Sequence, residues 1–122
     1  RRQRQMCIRD RVNISSVVAS TGNPGQSNYV AAKSALNGLT KSLALEVATR
    51  GVTVNSISPG FIDTAMTAKL TYDQKLKITE RIPMGRMGTG DDISSLVSFL
   101  VTNEAGYITG QNIHVNGGLF LT

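Results

Sequence analysis

The sequence predicts an α/β fold built on a parallel, doubly wound sheet. Three observations predict it. Val12–Ile14, Val52–Ile57 and Asn112–Asn116 are β-prone and read as strands. Stretches with helical spacing separate them. Strands joined through helices pair in parallel by right-handed crossovers, giving the order β-α-β-α-α-β. Three strands are few for such a sheet, and the first starts at a break in composition. The chain therefore reads as the C-terminal part of a larger, truncated domain.

Each element has its own signals. Val12-Asn13-Ile14 is the tail of a strand running into Ser15-Ser16. Residues 19–27 hold Gly22, Pro24 and Gly25 among small polar residues and read as a loop. From Asn28 to about Thr49, Ala31, Ala32, Ala35, Leu36, Leu39, Leu43 and Val47 recur at helical spacing. They predict an amphipathic helix of about six turns. Gly38 inside it costs on the order of 1 kcal/mol relative to Ala, which suggests that another backbone comes close there. Arg50-Gly51 ends the helix, with Gly just past the last turn. Val52–Ile57 alternates and is stopped by Pro59-Gly60. Residues 66–81 form a polar, mostly helical, mobile segment, and residues 83–90 a loop with three Gly. Asp91-Asp92 opens a helix to about Val101, its acids at the positive end, with Ile93, Leu96, Val97 and Leu100 on the apolar face. Residues 107–110 turn into the last strand, which Gly117-Gly118 follows.

Composition excludes several classes. The 122 residues are 40% apolar and 17% charged, which excludes collagen, low-complexity disorder and a disulfide scaffold. No apolar run approaches the roughly 20 residues of a bilayer span. One cysteine fits a reducing compartment, and a cytoplasmic location is expected. The net charge is +5, but residues 1–11 hold five Arg against Asp10. Without them eight basic and seven acidic residues leave +1, so the basic character belongs to the head. Residues 6–11 back-translate to the end sequence of a transposase used to tag sequencing libraries. The head is expected to be translated adapter, with native protein from about Val12. A basic tail or a nucleic-acid-binding arm are the alternatives. On the adapter reading neither nucleic acid nor membrane is a partner.

Ser16, Tyr29 and Lys33 are the candidate catalytic residues. Tyr29 and Lys33 lie four apart, hence one turn apart on one helix face. A phenol is a poor acid or base near neutrality, and a nearby ammonium favours its charged form. Ser16 follows a strand, at the end where ligands bind in open parallel sheets. Its hydroxyl can hydrogen-bond a carbonyl while Tyr29 passes it a proton. The pair alone is weak, since Tyr and Lys share many helix faces without a role.

The surrounding motifs strengthen it. Ser16, Tyr29 and Lys33 fall at the spacing of the short-chain dehydrogenase/reductases, which this sequence resembles. Val54-Asn55-x-Ile57-x-Pro59-Gly60 and Ile108-Thr109-Gly110-x-x-Ile113-x-Val115-x-Gly117-Gly118 resemble that family too. The resemblance covers Val12 to Thr122 and implies a Rossmann-type fold. Residues 22–33, 46–55 and 59–66 are most similar to the branch acting on 3-oxoacyl-[acyl-carrier-protein].

That resemblance implies an NADP(H)-dependent reduction of a 3-oxoacyl thioester in fatty acid synthesis, with NAD(H) left open as cofactor. Tyr29 would be the proton donor, Lys33 would support it and hold the nicotinamide ribose, and Ser16 would orient the carbonyl. Pro59, Gly60, Ile62 and Thr64 would hold the nicotinamide, residues 66–81 would form a substrate lid, and Arg50 would dock the acyl carrier protein. The last helix and strand would build a homotetramer. The family's Gly-rich turn and Asn-Ala-Gly segment do not occur in this sequence, so the chain as given is expected to be inactive. The alternatives are a related reductase of acyl-CoA or a small alcohol, or a non-catalytic oligomerisation half-domain. His114 reads as structural, Asp91-Asp92 as a helix start and Arg86 as a loop ion pair. No His or Cys spacing suggests a metal.

Sequencing the source DNA upstream of the Val12 codon, from a library made without transposase, tests the head. The frame is expected to continue into a strand, a Gly-rich turn and an Asn-Ala-Gly segment. An encoded Arg-rich head behind a genuine start would favour the oligomerisation half-domain.

Overall fold

The computed structural model describes residues 10–122. Three strands, β1 (Arg11–Ile14), β2 (Val54–Pro59) and β3 (Asn112–Val115), form one parallel sheet with β2 in the centre. Arg11 pairs with Val54 and Ile14 with Ile57, while Ser56 pairs with Asn112 and Pro59 with Val115. The helices are α1 (Val18–Thr21), α2 (Ser27–Val47), α3 (Tyr72–Glu80) and α4 (Gly90–Leu100). The expected parallel α/β order is therefore observed. Most of the arginine-rich head lies outside the described residues. Its last residue, Arg11, belongs to β1, and Thr53 O accepts from Arg11 N while Thr53 N donates to Asp10 Oδ1.

Several boundaries depart from expectation for local reasons. Residues 18–21 make one helical turn in place of the expected loop, because the Ser16 hydroxyl accepts from Val18 N at 3.3 Å and turns the chain. The long helix gives way to a 3-10 turn at Ala48–Arg50, closed by left-handed Gly51 at φ 71°. Strand β2 starts at Val54 and takes in Pro59, whose carbonyl still accepts from Val17 N. Gly60 then ends it. A Cβ there would lie 2.6 Å from Asn116 Cβ, so only glycine fits beside the end of β3.

The apolar stripe expected on α2 is covered only in part, through Leu36, Leu43 and Val47. Thr40 and Ala44 are buried, flanked by half-buried Leu36, Asn37, Leu43 and Val47. Ala31, Ala32 and Ala35 point away from the core, and Leu39 is half exposed. No close backbone explains Gly38: a Cβ placed there would meet nothing within 4 Å among the described residues. A polar residue sits at the centre of the contact face because the sheet beneath is polar too. Asn13 Nδ2 donates to Thr40 Oγ1, and Ser56 Oγ donates to Asn37 Oδ1.

The other face of the sheet carries the apolar core. Ile57, Leu100 and Ala105 are buried there, with Val12, Ile93, Leu96, Val97, Ile108, Ile113 and Val115 packed around them. The apolar face expected on α4 is thus borne out. Its start is fixed by a reciprocal cap: Thr89 Oγ1 accepts from Asp92 N, and Asp92 Oδ2 accepts from Thr89 N. The Thr89 N–H, with the Arg86 guanidinium 3.1 Å away, holds the Asp92 carboxyl below the usual range.

Asn55 links two motifs that lie far apart in sequence. Its Nδ2 donates to Ile108 O at 3.0 Å and its Oδ1 accepts from Gln111 N at 3.1 Å. Thr109 Oγ1 accepts from Val54 N, and Gly110 N donates to Val54 O. Losing both Asn55 bonds strands two backbone groups. Asn55→Ala is expected to cost about 2–4 kcal/mol, as an unmade buried bond costs about 1–3 kcal/mol. Urea unfolding of this variant beside Ser94→Ala, an exposed control, measures it.

Candidate active site

The C-terminal ends of β1 and β2 open into a cleft of about 770 Å³, within the usual range of small-molecule sites. Ser16, Val17, Tyr29, Gly60, Phe61, Met66, Arg81 and Leu119 contribute to its wall. The site therefore sits where an open parallel sheet places ligands.

Two of the three expected catalytic side chains, Ser16 and Lys33, are held by backbone. Ser15 is buried, donates its own N–H to Ile57 O, and donates its hydroxyl to Lys33 O at 3.2 Å. That bond ties the end of β1 to the second turn of α2. Ser16 Oγ, already accepting from Val18 N, keeps its proton free to donate into the cleft. Lys33 Nζ donates to Ile14 O at 3.0 Å and stands 5.6 Å from the centre of the Tyr29 ring. The ammonium thus lies over the phenol it is expected to support, anchored by a strand carbonyl. Tyr29 is 45% exposed and faces the cleft.

The expected cofactor stretch divides. Gly60 lines the cleft. Pro59 ends β2 beside it, with its carbonyl on Val17 N. Ile62 pairs with Gly88, and Asp63 N donates to Gly88 O. Thr64 N donates to Thr67 Oγ1, which bonds in turn to Asp63 Oδ1. Ile62 and Thr64 thus brace the loop on which Gly60 and Phe61 reach the cleft. Arg50 is elsewhere. It lines a hollow with Arg11, Leu43, Val47, Val52 and Val54 at the opposite end of β2.

The cleft also takes in Phe61, Met66, Arg81 and Leu119, which the sequence does not single out as site residues. Phe61 and Met66 lie within a motif that points to the site. Arg81 closes the segment expected to form the lid, whereas Leu119 carries no such signal, because the folded loop after β3 brings it in. Ser15 is less conspicuous than its neighbour in sequence, although its burial and strand position mark it as an anchor.

A nicotinamide riboside fits what is present. The cleft has room, and Tyr29 with Lys33 beside its ring offers donors for ribose hydroxyls. His114 stands outside this set. Its ring packs 4.9 Å from Phe120, and Nδ1 is buried with no hydrogen-bond partner among the described residues.

Fold and site together define a Rossmann-type α/β protein with Ser16 and Tyr29 in a cleft at the sheet's carboxyl end and Lys33 beside the Tyr29 ring. Residues 7–120 match the family model described as Enoyl-(Acyl carrier protein) reductase. A 3-oxoacyl-[acyl-carrier-protein] reductase of Haemophilus influenzae is 58% identical over 111 residues, covering 91% of this chain and 46% of that protein. Nodulation protein G of Rhizobium meliloti is 54% identical over 108 residues, covering 88% and 44%. A crystal structure of a short-chain dehydrogenase/reductase (glucose/ribitol dehydrogenase) from Brucella melitensis superposes with TM-score 0.84 at 33% identity, covering 91% of this chain and 45% of that one. The chain belongs to the short-chain dehydrogenase/reductase family. It spans about half the length of the curated relatives it matches.

Burial pushes the His114 pKa below its ordinary 6.5. The unfolded chain then binds the proton more readily. The stabilisation from neutral His114 is expected to be full above about pH 6.5 and lost as pH falls through the depressed folded value. His114 is the one histidine of the sequence, so a single imidazole resonance in an NMR pH titration reads it, with a midpoint below 6.5 expected.

Proposed function

We propose that this chain is the catalytic half of a reductase that converts a 3-oxoacyl thioester, carried on acyl carrier protein, to the 3-hydroxyacyl form. The observation that carries the reading is the placement of Lys33 Nζ, 3.0 Å from Ile14 O and over the ring of Tyr29, which shares one cleft with Ser16. The 3-oxoacyl-[acyl-carrier-protein] reductases among the relatives support the substrate class.

The Ser16 hydroxyl donates to the substrate carbonyl and fixes its direction. Tyr29 gives its phenolic proton to the carbonyl oxygen as charge develops there. The Lys33 ammonium stabilises the charge left on the phenol and holds the ribose. Bound NADPH supplies the hydride. Pro59, Gly60, Ile62 and Thr64 shape the loop that would hold the nicotinamide, and residues 66–81 would cover the substrate. NADP(H) rather than NAD(H), a homotetramer and a cytoplasmic location belong to the same reading. Among the described residues no helix is long and apolar enough to cross a membrane. Arg50, at the far end of β2, is a docking point for the carrier protein's acidic surface.

The test uses the protein expressed with the reading frame that precedes Val12 in its gene. NADPH oxidation with an acetoacetyl thioester is expected. Tyr29→Phe is expected to lower kcat by at least about 10²-fold, the usual scale of general acid catalysis. Full activity in Tyr29→Phe would overturn the mechanism. A second reading, reduction of a 2-enoyl thioester, has the family model's description in its favour. Turnover of crotonyl but not acetoacetyl thioester would select it.

A further inference from the structure

We infer that Arg81 is a phosphate-ester binding residue at the mouth of the cleft. Among the described residues Arg81 is the one charged side chain lining that cleft, and no carboxylate lines it. Two other cations near this end are engaged: Lys33 on Ile14 O, and Arg86 on Asp92 and Met87 O. The Arg81 guanidinium has no side-chain hydrogen bond or ion pair among the described residues, and its centre lies 5.5 Å from the Phe61 ring centroid.

This arrangement suits an oxyanion. Stacking on Phe61 holds the planar group in place without using its N–H donors. Five donors in a fixed fork then face the cleft, and a guanidinium binds phosphate through two parallel bonds. Arg81 also follows α3 directly, so it joins the segment proposed to cover the substrate to the loop at Ile82-Pro83. An anion bound there would tie the cover to the site.

The inference rests on the reductase reading, under which two ligands bring phosphate esters to this cleft: the arm that carries the acyl thioester, and the nicotinamide nucleotide. The chemistry is shared, and paired fragments separate the sources. Pantetheine is compared with 4′-phosphopantetheine, and nicotinamide riboside with nicotinamide mononucleotide, by NMR-detected binding to the protein expressed with its upstream reading frame.

In one pair the phosphorylated member is expected to bind about tenfold tighter or more, the scale of a hydrogen-bonded charge. That preference should vanish in Arg81→Gln and survive in part in Arg81→Lys, with both variants checked for folding by thermal melts. The pair that shows it names the source. No preference in either pair overturns the inference, as does a preference that persists in Arg81→Gln. A phosphate preference without reduction of any acyl thioester would leave Arg81 standing and remove the reductase reading. Reduction without the preference would do the reverse.

Discussion

The buried polar side chains of β2, on both faces of the strand, are the constraint on which the rest of this structure depends. Asn55, Ser56 and Ser58 are almost wholly inaccessible at the centre of the sheet, where an unpaired polar group costs about 1–3 kcal/mol. Each is paired. Asn55 holds the turn at residues 108–111, Ser56 reaches Asn37 and Asn112, and Ser58 shares Asn112. The turn before β3, the rotation of α2 and the register of β3 are thus set from one strand. Directional bonds do here what a wholly apolar strand would leave to shape alone.

That register is what builds the cleft. Because α2 is fixed on the sheet by Asn37 and Thr40, its first turns lie against the end of β1, where Ser15 takes hold of Lys33 O. Tyr29, Lys33 and Ser16 then converge without any of them being deeply buried. The exposed phenol can meet a ligand, while the ammonium beside it is oriented by a strand carbonyl. On the second side, Gly60 passes within contact of Asn116, and Gly117 and Gly118 close against Ile82 and Pro83. These close approaches bring Leu119 and Arg81 to the same opening. The candidate site lies at the carboxyl ends of the strands, while Arg50 and its hollow lie at the other end.

Much of this is legible in the residues. The parallel α/β order follows from alternation of short strands and helices, and the α4 core face from Ile93, Leu96, Val97 and Leu100. Gly51 at the end of the long helix adopts the left-handed conformation its position calls for. The stripe on α2 is legible only in part, because hydrophobic counting assumes an apolar partner surface and this one is polar. Residues 18–21 read as a loop because one turn of helix has no periodicity of its own. Thr89 is easily missed as a cap behind the two acids, although it stands three residues before Asp92.

Local patterns in the chain determined the strands, the helices and the one-turn spacing of Tyr29 and Lys33, because backbone geometry repeats at fixed intervals. The cap at Thr71 and Gln74, likewise, needs only neighbours in sequence. Tertiary structure decided which face of α2 is covered, that Asn55 meets residues 53 and 56 positions further on, and that Arg81 and Leu119 share a wall with Ser16. Those outcomes depend on distances closed through space by packing and hydrogen bonding between separate elements. No periodicity along the chain encodes them.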